Sequence, residues 1–308
     1  MLEVMLQMAL LIVTGMVWQR LAPNHISALS HRRALTDLVF YILLPALVID
    51  VLWQAPFDRD TFKIALTAVS RLAVNVALMW LCLRALRLSR AQQGALLLAA
   101  TFPNATYLGL PVTSEVLGDW THAVVLKFDL FACTPILLSL GMLMAQHYGH
   151  STQRLHPLRE LSRVPPIWAL LLASMLNLTQ TPEPAILAHA LHTLAGGVVP
   201  LMLIALGMSI RWDTFSISLL PKLLPVCLLA LLIGPLVAHT VAQAFTLDHT
   251  VVTAVTLLAA MPTMVFGIII CERYQLDGAL YAAAVFTTTL LSLLTLPLWF
   301  RYLSLPAG

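Results

Sequence analysis

The chain has 308 residues, 60% of them hydrophobic and 10% charged, with a mean hydropathy of +0.89. A soluble domain of this size does not arrange its apolar residues in charge-free runs of about twenty, the length that crosses hydrocarbon, so composition excludes a globular soluble protein and implies an all-α integral membrane protein in a lipid bilayer. The formal charge of +3 and the lack of an aromatic-interleaved basic patch exclude a nucleic-acid partner.

Hydrophobic runs between polar and Pro/Gly punctuation predict ten membrane helices. They lie at roughly 4–20, 35–53, 63–84, 91–117, 121–146, 164–180, 184–209, 219–242, 249–272 and 279–302. The first begins MLEVMLQ, with Glu3 where a signal peptide carries Lys or Arg, so it is expected to stay in the protein. The longest connection divides the chain nearly in half. The expected organisation is a first five-helix repeat over 1–147, a cytoplasmic linker over 148–163 and a second repeat over 164–308.

Basic residues separate by side. Arg20, Arg32, Arg33, Arg84, Arg87, Arg90, Arg154, Arg159, Arg163, Arg211, Lys222 and Arg273 fall in the odd-numbered connections; the even side and the end of the chain hold Arg59, Lys63 and Arg301. The positive-inside rule then places the odd connections in the cytoplasm and both termini outside, which is the periplasm for a bacterial inner (cytoplasmic) membrane. An odd number of helices per half inverts the second half relative to the first. Prolines recur accordingly: Pro45 with Pro200, Pro103 with Pro262, and Pro135 with Pro297, at offsets of 155, 159 and 162 residues. Two inverted five-helix repeats are the usual build of a secondary transporter.

The fourth run, Ala91 to Ser114, contains TFPNATYLGLPV (101–112), and proline there must break the helix near its centre. Asn104 lies thirteen residues after Ala91, and Pro262 thirteen after His249 on the opposite side. At 1.5 Å per residue both breaks fall about 20 Å along their helices, near mid-membrane. Crossed there, the second halves starting near Ala105 and Thr263 point amides and positive dipole ends at the crossing, which favours an anion. Asn104 adds a donor and an acceptor. The bland alternative is a pair of packing kinks.

These residues carry a family resemblance. TFPNATYLGLPV, GGVVPLMLIALGMSI (196–210) and MPTMVFGIIICERYQLDGALYAAAVFTTTLLSLLTLPLW (261–299) resemble the auxin efflux carrier family, in particular its bacterial malate or malonate permeases, over essentially the whole chain. The resemblance implies ten helices in two inverted repeats, a scaffold plus a transport domain, broken fourth and ninth helices crossed at the substrate site, organic anion transport and a homodimer. Carried onto this sequence, the substrate site comprises Pro103, Asn104, Thr106, Pro262 and Thr263. Many relatives carry asparagine soon after the second proline; here Met264, Val265 and Phe266 follow Thr263, so a second amide ligand is not expected.

Charges inside spans are costly and are functional candidates by default. Arg71, Lys127 and Asp129 sit about 9 to 12 Å below the outer surface by residue count, where they could meet as outer-route charges for an anion, or form a structural ion pair with a snorkelling side chain. Asp129 is also a candidate proton-coupling carboxylate. Thr287, Thr288, Thr289 and Ser292 form a polar patch on the tenth helix that either back-bonds to its own carbonyls or faces the crossing. His189 and His192 have metal-like spacing, but no third ligand or nearby carboxylate is expected to join them, so no metal site is expected. Cys82, Cys133, Cys227 and Cys271 lack metal or disulfide spacing. No cofactor is implied. An intramembrane enzyme is disfavoured because HExxH, GxSxG and GxGD-type patterns are absent. A sodium-coupled symporter of the bile-acid type stays open as the nearer alternative.

Overall fold

A computed structural model of the chain describes residues 2–21, 27–55, 58–149, 159, 162–209 and 219–304. Regular structure among them is helical, apart from one isolated backbone bridge. In chain order the helices are α1 (Leu2–Leu21), α2 (28–52), α3 (Arg59–Ala85), α4 (Arg90–Thr101), α5 (105–117) and α6 (Thr121–Tyr148), then α7 (Pro165–Leu178), α8 (Ala185–Ala195), α9 (Val198–Ser209), α10 (Leu220–Ala244), α11 (His249–Ala259), α12 (Gly267–Tyr274) and α13 (Gly278–Leu303). Among the described residues, six stretches are long and apolar enough to cross a membrane: Ser30–Leu52, Arg59–Ala85, Thr121–Tyr148, Ala185–Met208, Leu220–Ala244 and Gly278–Leu303. The chain is therefore a multi-pass membrane protein. Large apolar side chains such as Phe62, Leu294 and Leu298 face outwards, as lipid requires.

The predicted fourth and ninth spans are each divided, α4 from α5 and α11 from α12. The predicted seventh is also interrupted, at Gly196 and Gly197 between α8 and α9, where two glycines weaken the helix. The second begins earlier than predicted, because Ser27 caps it by accepting from the Ser30 amide at 3.1 Å. His31, Arg32 and Arg33 then ride in its first turns instead of ending it. Arg154, Arg211, both chain ends and most of the linker lie outside the described residues.

Four prolines inside helical runs share a local solution. Widened π-turns at Val39–Leu43, Ala105–Gly109, Asp129–Cys133 and Leu229–Ile233 each end two residues before a proline, namely Pro45, Pro111, Pro135 and Pro235. Leu44, Thr134 and Gly234, each preceding its proline, donate five residues back, to Val39, Asp129 and Leu229. A proline ring clashes with the carbonyl four residues before it, and the wider turn moves that carbonyl aside without ending the helix. Pro200 instead lies in the first turn of α9, where a missing amide costs little, so its local structure differs from that of Pro45.

Contacts divide the chain into two compact units. The first comprises Met1–Asp58, Leu110–Leu126 and Leu158–Ile210. Its closest helix pair is α1 with α9: a Cβ on Gly15 would stand 2.0 Å from the Ile204 carbonyl oxygen, and one on Gly207 1.9 Å from that of Ile12. Only glycine permits that approach, the usual basis of tight helix packing in lipid. Asn177 ties α7 to the end of α2, its Nδ2 lying 2.6 Å from the Trp53 carbonyl and 2.9 Å from that of Ala55. The second unit comprises Arg59–Gly109, Lys127–Pro157 and Arg211–Gly308. It contains both breaks.

Candidate functional site

In the second unit the two breaks meet. Phe102, the residue before Pro103, is extended (φ −101°, ψ 115°), the conformation that a following proline favours. Pro103 and Thr263 then pair as an antiparallel bridge. The Asn104 amide donates to the Pro262 carbonyl at 2.8 Å, and the Met264 amide to the Phe102 carbonyl at 3.1 Å. Two strands of two or three residues, each flanked by helices, so satisfy one another where hydrocarbon offers no water.

The carbonyls at the end of α4 are fully partnered. Leu98 accepts from the Phe102 amide at 3.2 Å. Ala99 accepts from the Thr263 hydroxyl at 2.8 Å, Ala100 from Asn75 Nδ2 at 2.7 Å, and Thr101 from Arg71 Nη1. A helix end leaves four carbonyls without intrahelical donors, and here three side chains from other elements complete the set. On the other strand the Thr263 amide donates to Thr288 Oγ1 at 3.1 Å, and the Met264 carbonyl accepts from the Tyr281 hydroxyl at 2.8 Å. Gly267 makes room for that phenol, since a Cβ there would lie 1.9 Å from the hydroxyl oxygen.

Asn104 differs from this set. Its backbone is committed, the carbonyl accepting from Leu108 at 3.3 Å and Gly109 at 3.0 Å. The residue is 3% exposed, and its carboxamide makes no hydrogen bond among the described residues. The first amides of α5 follow directly, and the first amides of any helix lack acceptors of their own.

Arg71 is wholly buried. Nη1 holds the Thr101 carbonyl, while Nε and Nη2 have no partner. These two nitrogens form the edge of the guanidinium whose parallel N–H bonds match a carboxylate. One turn along α3, Asn75 donates to Ala100 and to Leu229 at 3.2 Å and leaves its Oδ1 unpaired. The guanidinium packs over Gly234, where a Cβ would come within 3.0 Å of Nε. Sequence depth placed Arg71 on an outer route with Asp129 and Lys127. The structure instead puts its charge at the break, on the last carbonyl before Phe102. Asp129 accepts from the Thr106 hydroxyl at 2.5 Å and also bonds Thr134, and it forms no ion pair with Arg71. Lys127 is buried on the turn before it.

The sequence pattern of the membrane transport proteins matches residues 2–300. The chain belongs to that family, as its likeness to the auxin efflux carriers led one to expect. The membrane transport protein is 28% identical over 269 residues to an uncharacterized transporter of Methanothermobacter thermautotrophicus, covering 86% of this chain and 87% of the relative. It is 21% identical over 277 residues to the uncharacterized transporter MJ1031 of Methanocaldococcus jannaschii, covering 88% and 89%. It is 23% identical over 275 residues to the uncharacterized transporter YfdV of Escherichia coli K12, covering 87% of each chain.

Other sequence candidates in this membrane transport protein fall into place. Thr288 both back-bonds to Ala284 at 2.7 Å and accepts from Thr263, so the tenth-helix patch serves both of its expected uses. Among the described residues Ser292 bonds the Thr289 carbonyl, at 2.7 Å, and the buried Thr287 hydroxyl has no partner. A carboxylate does lie near the histidine pair, contrary to the sequence reading: Asp50 Oδ2 is 3.3 Å from His192 Nδ1, brought there by the packing of α8 on α2. No metal-holding cluster occurs among the described residues. The four cysteines are free. Asn75, Tyr281 and Gly267 were missed because nothing in local spacing marks them; only the half-membrane position of Asn75, one turn after Arg71, could have drawn notice.

Proposed function

We propose that this chain is a secondary carrier for small organic anions such as carboxylates, binding them at the crossing of the broken helices. The observation that carries the reading is the buried Asn104, whose carboxamide has no hydrogen bond among the described residues, beside a bridge whose neighbouring helix-end carbonyls are all partnered. A substrate carboxylate there accepts from Asn104 Nδ2 and the first amides of α5, with the positive end of the helix and the Arg71 guanidinium offsetting its charge. Thr106 lies on the same turn. Pro103 and Pro262 keep the breaks open, and Thr263 positions the strand through its bonds to Ala99 and Thr288.

The two compact units favour alternating access. Helices α1 and α2 group with α7, α8 and α9, while α3, α4 and α6 beyond Leu126 group with α10 to α13. Apart from Leu110–Leu126, which falls in the first unit while its counterpart falls in the second, corresponding helices of the two predicted halves fall in the same unit, which supports a scaffold and a transport domain built from inverted repeats of 1–147 and 164–308. A bacterial inner-membrane location with periplasmic termini, and a homodimer, complete the reading. The sodium-coupled alternative is weakened by the carbonyls at the end of α4, which already have donors and leave few oxygens for a cation.

A thermal-shift screen of the purified protein against mono- and dicarboxylates and indole acids tests the substrate class, because a ligand of the folded state raises its unfolding temperature. Uptake of the stabilising compound into vesicles, with sodium replaced by choline, then separates the two readings. Loss of uptake without sodium would favour the symporter, and no stabilisation by any organic anion would contradict the proposal.

A further inference from the structure

A second basic feature lies away from the crossing, at the end of α3 that carries Arg84. A cavity of about 530 Å³ is lined by Trp80, Leu83, Arg84, Leu86, Arg87, Leu88, Gln93 and Tyr148. The crossing makes no use of any of them. The geometry points to a binding site for the head group of an anionic phospholipid, whose phosphodiester sits between Arg84 and Arg87.

Three observations converge on that ligand. First, one of the two cations is held in place: the Arg84 guanidinium stacks 3.6 Å from the centroid of the Trp80 ring. An arginine merely solvated at a membrane surface would lose side-chain entropy on binding, and a stacked one has already lost it. Second, the competing partners are occupied or missing: Gln93 Nε2 is spent on the Leu88 carbonyl at 2.9 Å, and the cavity lining holds no Asp or Glu to neutralise the arginines. Third, the wall is amphipathic. Trp80 and Leu81 are 44% and 58% exposed on the apolar flank of α3, next to Leu83, Leu86 and Leu88. A free phosphate has no use for such a flank, whereas acyl chains lie along it and tryptophan marks head-group depth. Basic pockets between membrane helices on the cytoplasmic side bind anionic head groups, and the charge distribution assigns this end of α3 to that side.

The test uses the full-length protein in uncharged detergent, with unfolding temperature followed as phosphatidylglycerol, phosphatidylcholine or inorganic phosphate is added. Phosphatidylglycerol should stabilise the protein by a few degrees more than phosphatidylcholine, and inorganic phosphate at equal concentration should not. Arg84→Gln with Arg87→Gln should weaken the apparent affinity for phosphatidylglycerol roughly twenty-five-fold, about fivefold per arginine. If the double variant does not accumulate, Arg87→Gln alone, in the segment after α3, should show the single step. Equal stabilisation by the two lipids, full reproduction by inorganic phosphate, or unchanged affinity in the variant would each overturn the assignment. No transport assay enters, so the result is independent of the carrier reading.

Discussion

The Asn104 amide and the Pro262 carbonyl, 2.8 Å apart, join two helices that are each broken by a proline within a hydrocarbon-spanning run. Met264 returns the bond to Phe102 at 3.1 Å, so each strand both donates and accepts across the bridge. The bridge removes the main objection to irregular backbone at this depth, since an unsatisfied peptide group in lipid costs several kcal/mol. It also fixes the point from which the Asn104 side chain departs.

Substituting the prolines should slow the carrier more than it weakens binding. In Pro103→Ala the new amide can donate to the Ala99 carbonyl, the helical partner four residues back that Thr263 now holds at 2.8 Å. Helix would propagate into the break and release Thr263. Pro262→Ala offers the same option to the Leu258 carbonyl, which now accepts from Met261 at 3.3 Å. Initial rates in vesicles, compared with calorimetric affinity, check this; parallel losses in both would show that the breaks serve binding alone.

Gly207→Ala should destabilise the first unit by about 1 to 3 kcal/mol, the usual range for forcing extra volume into close packing. Its methyl group would meet the Ile12 carbonyl oxygen at 1.9 Å, and backbone cannot give way as a side chain can. A lowered unfolding temperature with substrate affinity unchanged is the expected pattern. A wild-type melting curve would mean that α1 and α9 separate freely.

Much of this was legible in the sequence because the bilayer imposes few options. Hydrophobic length located the helices, and proline inside a span forced the breaks at Pro103 and Pro262. Other features depend on distant residues and were not legible. Arg71 counts as a shallow charge by residue number, yet a long side chain carries its guanidinium to Thr101. The π-turns before Pro45, Pro111, Pro135 and Pro235 let helices continue where the prolines alone read only as kinks. His192 meets Asp50 across 142 residues, a pairing that i, i+3 spacing cannot reveal.

Arg71→Gln should keep a donor for the Thr101 carbonyl while removing the positive charge. At an effective dielectric of about 20 and a separation on the order of 10 Å, a unit charge contributes about 1.7 kcal/mol, or roughly fifteen-fold in anion affinity. A raised apparent KM with normal yield and monodispersity in detergent is expected, and Lys127→Gln should act in the same direction. Protein that fails to accumulate would assign Arg71 to folding instead.

Topology can be read with reporter fusions. Alkaline phosphatase should be active when fused at Gly308 and inactive at Ser151, following the distribution of arginine and lysine among the connections. The reverse pattern would remove the inverted-repeat organisation as drawn.

The most direct measurement is calorimetric binding of the carboxylate that best stabilises the wild-type protein, repeated on Asn104→Leu. Leucine keeps the size of the side chain and deletes its donor and acceptor, and the backbone bridge to Pro262 needs neither. A lost hydrogen bond to a charged ligand is worth roughly 1.5 to 3 kcal/mol, so affinity should fall about ten- to a hundredfold in a protein that still folds. Wild-type affinity in the folded variant would show that the crossing is a packing arrangement and that the substrate binds elsewhere.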